Sequence, residues 1–432
     1  MKLFFRICAR VKPIASRFYT CLLSLSLVLS ASASASADVI PGSGPVLTLS
    51  QAVSLTLRKH PELNAFVPRY RVQQGQVQQA SVGERPQVGL MIEDGLGNGD
   101  HSGLSRMQST LTFTWMLQQE QIDSRIEAAK SHTDQLEVEQ RIASLDLASH
   151  TAKKFIQILI KDERLKLNKI ALQQAQDVHH AISKRVDAGK SSNVEKLQAA
   201  AEQVRRELAI EDLEHELTAS YYQLTSMWGE AGKAYQVSGN LLALPANRSV
   251  ESQLDKLKKQ PLLAKFATQR RIAQSQIELA RIEAKPQWQL SAGVRRYEAT
   301  DDFGLVAGIS IPWGNNNRNA GKIAALQAQQ EVLADQASAL LQKLDVQLYV
   351  LLQEMEHSRH VIDSIQQRIV PLLENALTDA SSAFDIGKLN YTQWNNVRHQ
   401  LLTAKSQLLD VYESLHLQHI EIQRLTGSSI SQ

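Results

Sequence analysis

Cysteine is almost absent: the 432-residue chain contains only Cys8 and Cys21, both close to its N-terminus. The first 37 residues are typical of a secretory signal peptide, because five basic residues precede an apolar run that gives way to small residues ending at Ala37. We therefore expect a signal peptide over 1–37 and an exported mature chain from Asp38. That mature chain would have no thiol, which excludes disulfides and thiolate metal sites.

Excess positive charge is also missing once this segment is set aside. The full chain has a formal net charge of +3, but 1–37 carry five basic residues and no acidic one, so the net charge falls to −2 without them. The basic character belongs to the N-terminal segment. Composition thus gives no support to nucleic-acid binding, and we predict no nucleic-acid partner.

Long apolar runs are absent after residue 37, and none reaches the roughly 18 residues of a membrane-spanning helix. Membrane insertion would therefore have to use β-strands. The sequence also contains no recognisable arrangement of nucleophile, base and orienting group, and no phosphate-binding glycine motif. We predict that the protein is not an enzyme and has no cofactor.

Two histidine pairs on predicted helices have a three-residue spacing that could hold a metal ion. They are His357 with His360, and His416 with His419. Neither pair has a cysteine or a dense acidic cluster nearby to complete a ligand set. We therefore predict solvated helix faces and no metal site.

The mature chain contains an internal repeat. Segments of the first half match segments of the second at a spacing of 200 residues, which becomes 198 from the second predicted strand onwards. The register holds at proline, glycine and tryptophan, which chance similarity between helical sequences would not maintain. The matched positions include Pro61 with Pro261, Pro86 with Pro286, Trp115 with Trp313, and Gly189 with Gly387. We predict two repeats, 38–229 and 251–427, a linker over 230–250 and a short tail over 428–432.

Each repeat is predicted to be mainly helical. From Gln118 to Asp187 there is neither glycine nor proline, and the segment is rich in good helix formers. About 70 residues at about 1.5 Å each give one helix on the order of 100 Å long. The matching segment, 322–386, is interrupted only by Pro371, which we interpret as a static kink rather than a hinge. Return helices are predicted over 193–227 and 390–426.

A shorter helical region opens the first repeat. Thr48 and Gln51 form a predicted capping box, and Pro61 suits the first turn of a helix. We predict a break at Pro68 and an end near Glu84.

Two short segments alternate between apolar and small or polar residues, which predicts β-hairpins over 87–115 and 287–313. Strands of about 8 to 10 residues with one apolar face are typical of tilted transmembrane strands. Trp115, Trp288 and Trp313 are predicted at the strand ends nearest the helices, where they would meet membrane lipid at its interface. A soluble sandwich would alternate similarly, but two matched hairpins in an exported chain favour an outer-membrane location.

Four strands are too few to close a β-barrel, for which about eight are needed, and open strand edges are not tolerated in lipid. We therefore predict that the chain oligomerises. Two chains would supply eight strands and three would supply twelve, and the strand pattern fits both.

The chain resembles the TolC-type outer membrane factor family over essentially all of its mature length. The resemblance rests on Leu47 to Val53, His60-Pro61-Glu62-Leu63, the two hairpins introduced by proline, and the turns around Gly189 and Gly387. It implies a mainly α protein with some β structure. It also implies a homotrimer in which each protomer contributes four strands. In this architecture an outer-membrane β-barrel continues into a long periplasmic α-helical barrel. It also implies a periplasmic adaptor (membrane fusion protein) and an inner-membrane pump of the resistance-nodulation-division type as partners.

Within this family the chain is most similar to the CzcC-like branch, which exports divalent cations such as cobalt, zinc and cadmium. The similarity lies in segments 293–296, 306–312 and 317–321, whereas Trp313-Gly314-Asn315-Asn316 departs from the usual turn. We predict a passive outer-membrane conduit for heavy-metal efflux. Two alternatives stay open: the same channel exporting drugs or a type I secretion substrate, and a non-channel periplasmic coiled-coil protein.

The two glycine turns lie farthest from the hairpins and form the predicted periplasmic tip. Glycine there allows a left-handed helix C-cap, so turn formation alone explains it. The resemblance adds a second role, an adaptor-docking surface formed by Gly189, Lys190, Gly387, Lys388 and Leu389.

The resemblance also marks Glu195, Gln393 and Asn396 as candidates for a periplasmic gate. A ring of Glu195 side chains around a symmetry axis would favour cations. The local alternative is that 192–195 and 390–393 are capping boxes, whose side chains reach back to their own helix starts. The family's acidic pair is replaced by Gln393 and Asn396, which argues against a strongly anionic gate.

Overall fold

A computed structural model describes residues 44–246, 249–314 and 317–430. The predicted signal peptide with Cys8 and Cys21 lies outside the described residues. The same holds for Asn315 and Asn316 of the divergent turn and for the last two residues of the predicted tail.

The described residues form six strands and ten α-helices, together with a short 3-10 turn and one π-helical turn. The strands are β1 Val46–Leu47, β2 Gln87–Glu93, β3 Gln108–Leu117, β4 Gln236–Val237, β5 Trp288–Tyr297 and β6 Asp302–Ser310. The helices are α1 Leu49–Lys59, α2 Pro61–Asn64, α3 Phe66–Ala80, α4 Gln119–Asp187, α5 Asn193–Ser226, α6 Val250–Leu257, α7 Pro261–Glu283, α8 Ala320–Ser364, α9 Val370–Asp385 and α10 Tyr391–Leu425. The 3-10 turn spans Gly99–His101 and the π-helical turn spans Ile365–Ile369.

Helix α4 is continuous over 69 residues, which confirms the predicted long helix. It ends where Gly189 adopts a left-handed backbone with a φ of 69°. The Lys190 N–H then donates to the Arg185 carbonyl at 2.7 Å, and the Gly189 N–H donates to the Val186 carbonyl at 2.9 Å. These two bonds satisfy carbonyls that the end of a helix would otherwise leave open.

The matching helix of the second half passes through Pro371 without stopping. The π-helical turn lies directly before this proline, and the Val370 N–H donates to the Ile365 carbonyl five residues back. Proline lacks an N–H and clashes with the carbonyl four residues earlier in a regular helix. The wider turn relieves that clash, so α8 and α9 form one helical path with a local irregularity.

The first helical region differs in two places from its prediction. Thr48 and Gln51 do form the capping box of α1, and Pro61 does open α2. The break, however, lies at Ala65 instead of Pro68, because Pro68 falls in the first turn of α3, where no backbone donor is needed. Helix α3 also ends at Ala80, before Gly83 and Pro86, and not near Glu84.

The two predicted hairpins pair with each other in one antiparallel sheet of order β2-β3-β5-β6. The pairing of β3 with β5 places Leu117 opposite Trp288. The last strand is shorter than predicted: β6 ends at Ser310, so Ile311 and Trp313 lie beyond it. Pro312 accounts for this, because it has no N–H to donate to a strand ladder. A separate pair of short parallel strands joins β1 to β4.

The main core gathers residues from α1, α4, α8 and α10. Phe155, Ile158, Leu348 and Leu415 are almost completely buried in it. Helix α4 packs against α5, α7 and α10, and α8 packs against α7 and α10. None of the helices in the described ranges is both long enough and apolar enough to cross a membrane.

Ion pairs connect the first half to the second along α4 and α10. Arg164 lies 2.7 Å from Asp410 and 3.0 Å from Glu413, and Lys153 lies 2.6 Å from Glu421. Burial alone would raise the pKa of Glu421, but hydrogen bonds from Arg424 and Lys153 bring that pKa below its usual value. Glu421 is therefore held as a carboxylate between two cations.

A second carboxylate joins α1 to the segment that follows α5. Glu230 accepts from the Lys59 ammonium at 2.8 Å, the Tyr235 hydroxyl at 2.7 Å, the Lys233 ammonium at 3.2 Å and the Trp228 indole N–H at 3.3 Å. The Lys59 ammonium and the Tyr235 hydroxyl are the main reasons that the pKa of Glu230 falls to about 2. Sequence reasoning did not single out this residue.

We expect this carboxylate to make the stability of the fold depend on acid. Its pKa is lower in the folded state than in the unfolded chain, so its contribution is complete above about pH 4.5 and is lost as the pH falls toward 2. Glu230→Gln should lower the urea midpoint at pH 7 and reduce the further loss between pH 5 and pH 3. Asp255→Asn, which removes a loose 3.7 Å pair with Lys258, is the control and should change neither value. Equal effects of the two substitutions would contradict this role.

Candidate functional site

The sheet has two chemically different faces. The strand register places Val88, Phe113, Ala292 and Ala307 in one row across the sheet, with Leu90, Leu111, Val294 and Leu305 in the next row on the same face. All of these side chains except the two alanines are large, and the large ones are exposed, up to 91 % for Leu305. An apolar face of this size is not left bare in water, so it requires a covering of lipid or protein.

The opposite face carries small and polar side chains. Its rows include Gly89, Thr112 and Gly293, and then Ser291 and Gly308. A Cβ atom on Gly293 would lie 2.4 Å from the Leu111 carbonyl oxygen, and one on Gly308 would lie 2.7 Å from the Ser291 hydroxyl. The backbone carbonyl of Leu111 thus requires glycine at position 293, and neither glycine adds a side chain to this face. The larger side chains of the face include Met91, Val306 and Arg295.

The three predicted interface tryptophans lie near the end of the sheet that joins the helices. Trp115 belongs to β3, Trp288 begins β5, and Trp313 follows β6. All three are exposed, and Trp313 is completely so. Their location matches the predicted one, except that Trp313 lies outside the strand.

At the opposite end of the helices, both predicted glycine turns have the left-handed conformation. Gly189 has a φ of 69° and Gly387 a φ of 79°, and the Lys388 N–H donates to the Ala383 carbonyl at 2.8 Å. Gly189, Lys190, Gly387 and Lys388 are exposed. Leu389 is half-buried and packs against a small apolar cluster between the turns, which includes Ile182, Phe384 and Tyr391.

Both predicted capping boxes are present at the starts of the return helices. Glu195 accepts from the Ser192 N–H at 3.2 Å, and Gln393 accepts from the Asn390 N–H at 3.2 Å. Glu195 makes one bond more: its second carboxylate oxygen accepts from the Tyr391 N–H at 3.3 Å. The first turn of α5 is thereby tied to the first turn of α10.

The two halves are therefore not equivalent at this end. Glu195 bridges two helix starts, whereas Gln393 is exposed and caps only its own helix. Asn396 is also exposed, one turn further along α10. A carboxylate close to two helix N-termini is favoured by the partial positive charge of both.

A stack of aromatic and guanidinium groups also lies here, and sequence reasoning missed it. The rings of Phe384 and Trp394 are parallel to within 7°, with centroids 4.8 Å apart. Arg185 lies over the outer face of Phe384 at 4.5 Å, and Arg398 lies over Trp394 at 5.2 Å. Burial lowers the pKa of Arg398 and raises that of Tyr391. Phe384 and Trp394 replace Val186 and Lys196 of the first half, an asymmetry that could have indicated the cluster.

The two histidine pairs differ in their surroundings. The His416 ring nitrogen lies 2.8 Å from the Leu241 carbonyl oxygen, and burial lowers its pKa, whereas His357 and His360 are exposed. Across the part of the chain that the structure describes, no group of three or more His, Cys, Asp or Glu side chains could hold a metal ion.

The sequence was compared with known protein families and with individual proteins. Residues 52–230 match the family described as outer membrane efflux protein. The chain carries an outer membrane efflux domain. A relative with 26 % identity over 396 residues is the cobalt-zinc-cadmium resistance protein CzcC of Cupriavidus metallidurans; the match covers 89 % of this chain and 91 % of that protein. The nickel and cobalt resistance protein CnrC of the same organism is 25 % identical, over 65 % of this chain and 68 % of its own.

The fold of this chain is also that of solved structures of other proteins. CusC, whose structures concern folding and transmembrane channel formation, superposes with a TM-score of 0.70 at 18 % identity, covering 88 % of this chain and 92 % of its own. The family and the relatives place the chain in the outer membrane of a Gram-negative cell, extending into the periplasm. They are channel and resistance proteins, and the predicted resemblance to TolC-type factors is confirmed.

The closeness of the Leu111 carbonyl to Gly293 predicts that a larger side chain there lowers the stability of the sheet. Gly293→Ala forces a methyl group against the Leu111 carbonyl and should destabilise the protein by about 1–3 kcal/mol. Gly75→Ala in α3, where no atom lies within 4 Å of the new Cβ, should stabilise it by about 0.5–1 kcal/mol. Thermal midpoints of the detergent-purified variants would measure both. A Gly293→Ala variant as stable as the wild type would show that the strands can separate there.

Proposed function

We propose that the chain is the outer-membrane channel of a tripartite efflux system and a passive conduit for divalent heavy-metal cations of the cobalt, zinc and cadmium type. The observation that carries the proposal is the sheet, apolar and exposed on one face and small or polar on the other, next to a helix of 69 residues. The metal named as cargo rests on the match to CzcC over 89 % of the chain.

The edges of the protomer support assembly into a homotrimer. Within the described residues, β2 and β6 each pair along one side only, and an open strand edge is not tolerated in lipid. Joining β6 of one copy to β2 of the next repeats head to tail and closes a ring of twelve strands at three copies. The apolar face would then meet lipid, with Trp115, Trp288 and Trp313 at its periplasmic boundary.

The helices support the same assembly below the membrane. Helix α5 exposes an apolar stripe at intervals of three, four and seven residues: Val194, Leu197, Val204 and Leu208. The other half exposes Ile369 and Leu372 where the π-helical turn meets α9. Stripes of this spacing pack against a neighbouring helix, so α5 of one copy would lie against α9 of the next and complete a helical barrel. Each repeat of the duplicated chain, 38–229 and 251–427, would form one wall element, with 230–250 between them.

The two tips support a docking end and a gate. Gly189, Lys190, Gly387 and Lys388 are exposed on the turns farthest from the sheet, with Leu389 anchoring the second turn, and they fit docking of a periplasmic adaptor. Glu195 links the two helix starts of one protomer, which suits a latch for the channel entrance. Gln393 and Asn396 would line that entrance as polar groups. An inner-membrane pump of the resistance-nodulation-division type would supply the energy.

Metal tolerance tests the cargo. Deletion of the gene should lower the zinc, cobalt and cadmium concentrations that the cells tolerate, and expression of the chain should restore them. Tolerance of dyes and detergents is the control and should not change. Unchanged metal tolerance together with new sensitivity to dyes would overturn the metal cargo but leave the channel intact. A product that is monomeric on an unboiled gel and absent from the outer-membrane fraction would overturn the channel itself.

If the bond between Glu195 and the Tyr391 N–H restrains the channel entrance, substitutions at Glu195 and at Gln393 should affect conductance differently. Glu195→Ala and Gln393→Ala each remove the side-chain bond that closes one capping box, worth about 1 kcal/mol, but only the first also removes the bond to Tyr391. We expect Glu195→Ala to raise the single-channel conductance in planar bilayers and Gln393→Ala to leave it near the wild-type value. Equal conductance of the two variants would show that the bond to Tyr391 does not restrain the tip.

A further inference from the structure

An arginine is fixed on the small, polar face of the sheet. The Arg295 guanidinium donates to the Thr110 hydroxyl at 2.8 Å and to the Gln108 side-chain oxygen at 3.1 Å. Its remaining nitrogen lies 2.9 Å from a Glu93 carboxylate oxygen, a close ion pair without the alignment of a hydrogen bond. These partners lie on β2 and β3, while Arg295 lies on β5. The side chain is therefore held flat against the sheet, and its charge has one fixed neutralising partner.

This pair lies near the end of the sheet that is remote from the helices. Glu93 is the last residue of β2, and its row continues through Gln108 and Tyr297 to Asp302. In the adjacent row on the same face, Arg295 is paired with Gly304, and the Tyr297 ring lies next to that glycine. The Gln108 amide also donates to the Asp94 carboxylate at 2.9 Å, which adds negative charge beside the pair.

The opposite face has a similar ion pair at the same level. Arg296, the next residue along β5, lies 3.0 Å from both Glu298 and Asp301 and lies over the Phe303 ring at 5.9 Å. Successive residues of a strand point to opposite faces. The chain thus carries one arginine with a single carboxylate partner on the polar face, and one arginine with two carboxylate partners on the other face.

We propose that Glu93 sets the ion selectivity of the channel lumen by neutralising Arg295. The inference rests on the proposed function, in which the polar face of the sheet lines the lumen. Three copies would place three Arg295 guanidinium groups around the path of the transported cations. A ring of fixed positive charge repels cations, and a fixed carboxylate beside each guanidinium cancels that repulsion. Glu93 therefore determines the selectivity between cations and anions at this level.

Reversal potentials of the purified wild-type protein in planar bilayers, under a potassium chloride gradient at low salt, test this assignment. Glu93→Gln leaves Arg295 without its counter-charge and should raise the chloride-to-potassium permeability ratio about two-fold or more, because low salt weakens screening. Arg295→Gln should shift the ratio in the opposite direction. The double variant, Glu93→Gln with Arg295→Gln, should return it toward the wild-type value.

Glu298→Gln is the control, since it removes the same charge from one of the two carboxylates beside Arg296 on the other face and should leave the ratio unchanged. An unchanged ratio in Glu93→Gln channels, or an equal shift in Glu298→Gln channels, would overturn the proposal. If Glu93→Gln protein does not assemble, the Arg295→Gln shift decides the question alone. A wild-type protein without any channel conductance would instead refute the proposed function on which the assignment rests.

Discussion

The unbroken path of α4 is the constraint on which the other elements depend. This helix packs against α3, α5, α7 and α10, so a break within it would separate elements from both halves of the chain. Its middle third supplies the core through Phe155 and Ile158, and its polar side chains make the ion pairs with α10. A helix of 69 residues cannot bury itself in an ordinary globular core, so most of its length has to be stabilised sideways by neighbouring helices.

Much of this architecture could be predicted because it depends on local sequence patterns. The absence of glycine and proline defined α4, period-two alternation defined the hairpins, and the glycine turns were placed correctly at Gly189 and Gly387. The errors concern proline. Pro68 is accommodated in a first helical turn, and Pro312 ends β6 before Trp313, so whether a proline breaks an element depends on its position within it.

Other features could not be predicted, because they depend on pairs far apart in the sequence. The register of β3 on β5, the bond from the Tyr391 N–H to Glu195 and the Arg185–Phe384 contact each join residues about 170 to 200 positions apart. Local propensity carries no information about such partners. Glu230 illustrates the same limit: its sequence neighbours do not reveal that Lys59 will donate to its carboxylate. The capping interpretation of Glu195 is confirmed, since it caps its own helix, and it also contacts the start of α10; its role in a gate stays a prediction.

The π-helical turn before Pro371 has a consequence for comparing the two halves. From Trp115 to Gly189 and from Trp313 to Gly387 the chain covers the same number of residues. A π-helical turn, however, accommodates one additional residue per turn, which rotates everything beyond it by about 100°, the angle of one helical residue. Residues of α9 that follow Pro371 therefore face a different direction around the helix axis from the residues of α4 that lie 198 positions earlier in the chain. The two predicted repeats thus keep the same spacing in sequence but differ in orientation around the helix, so identical substitutions at paired positions would act on different surfaces.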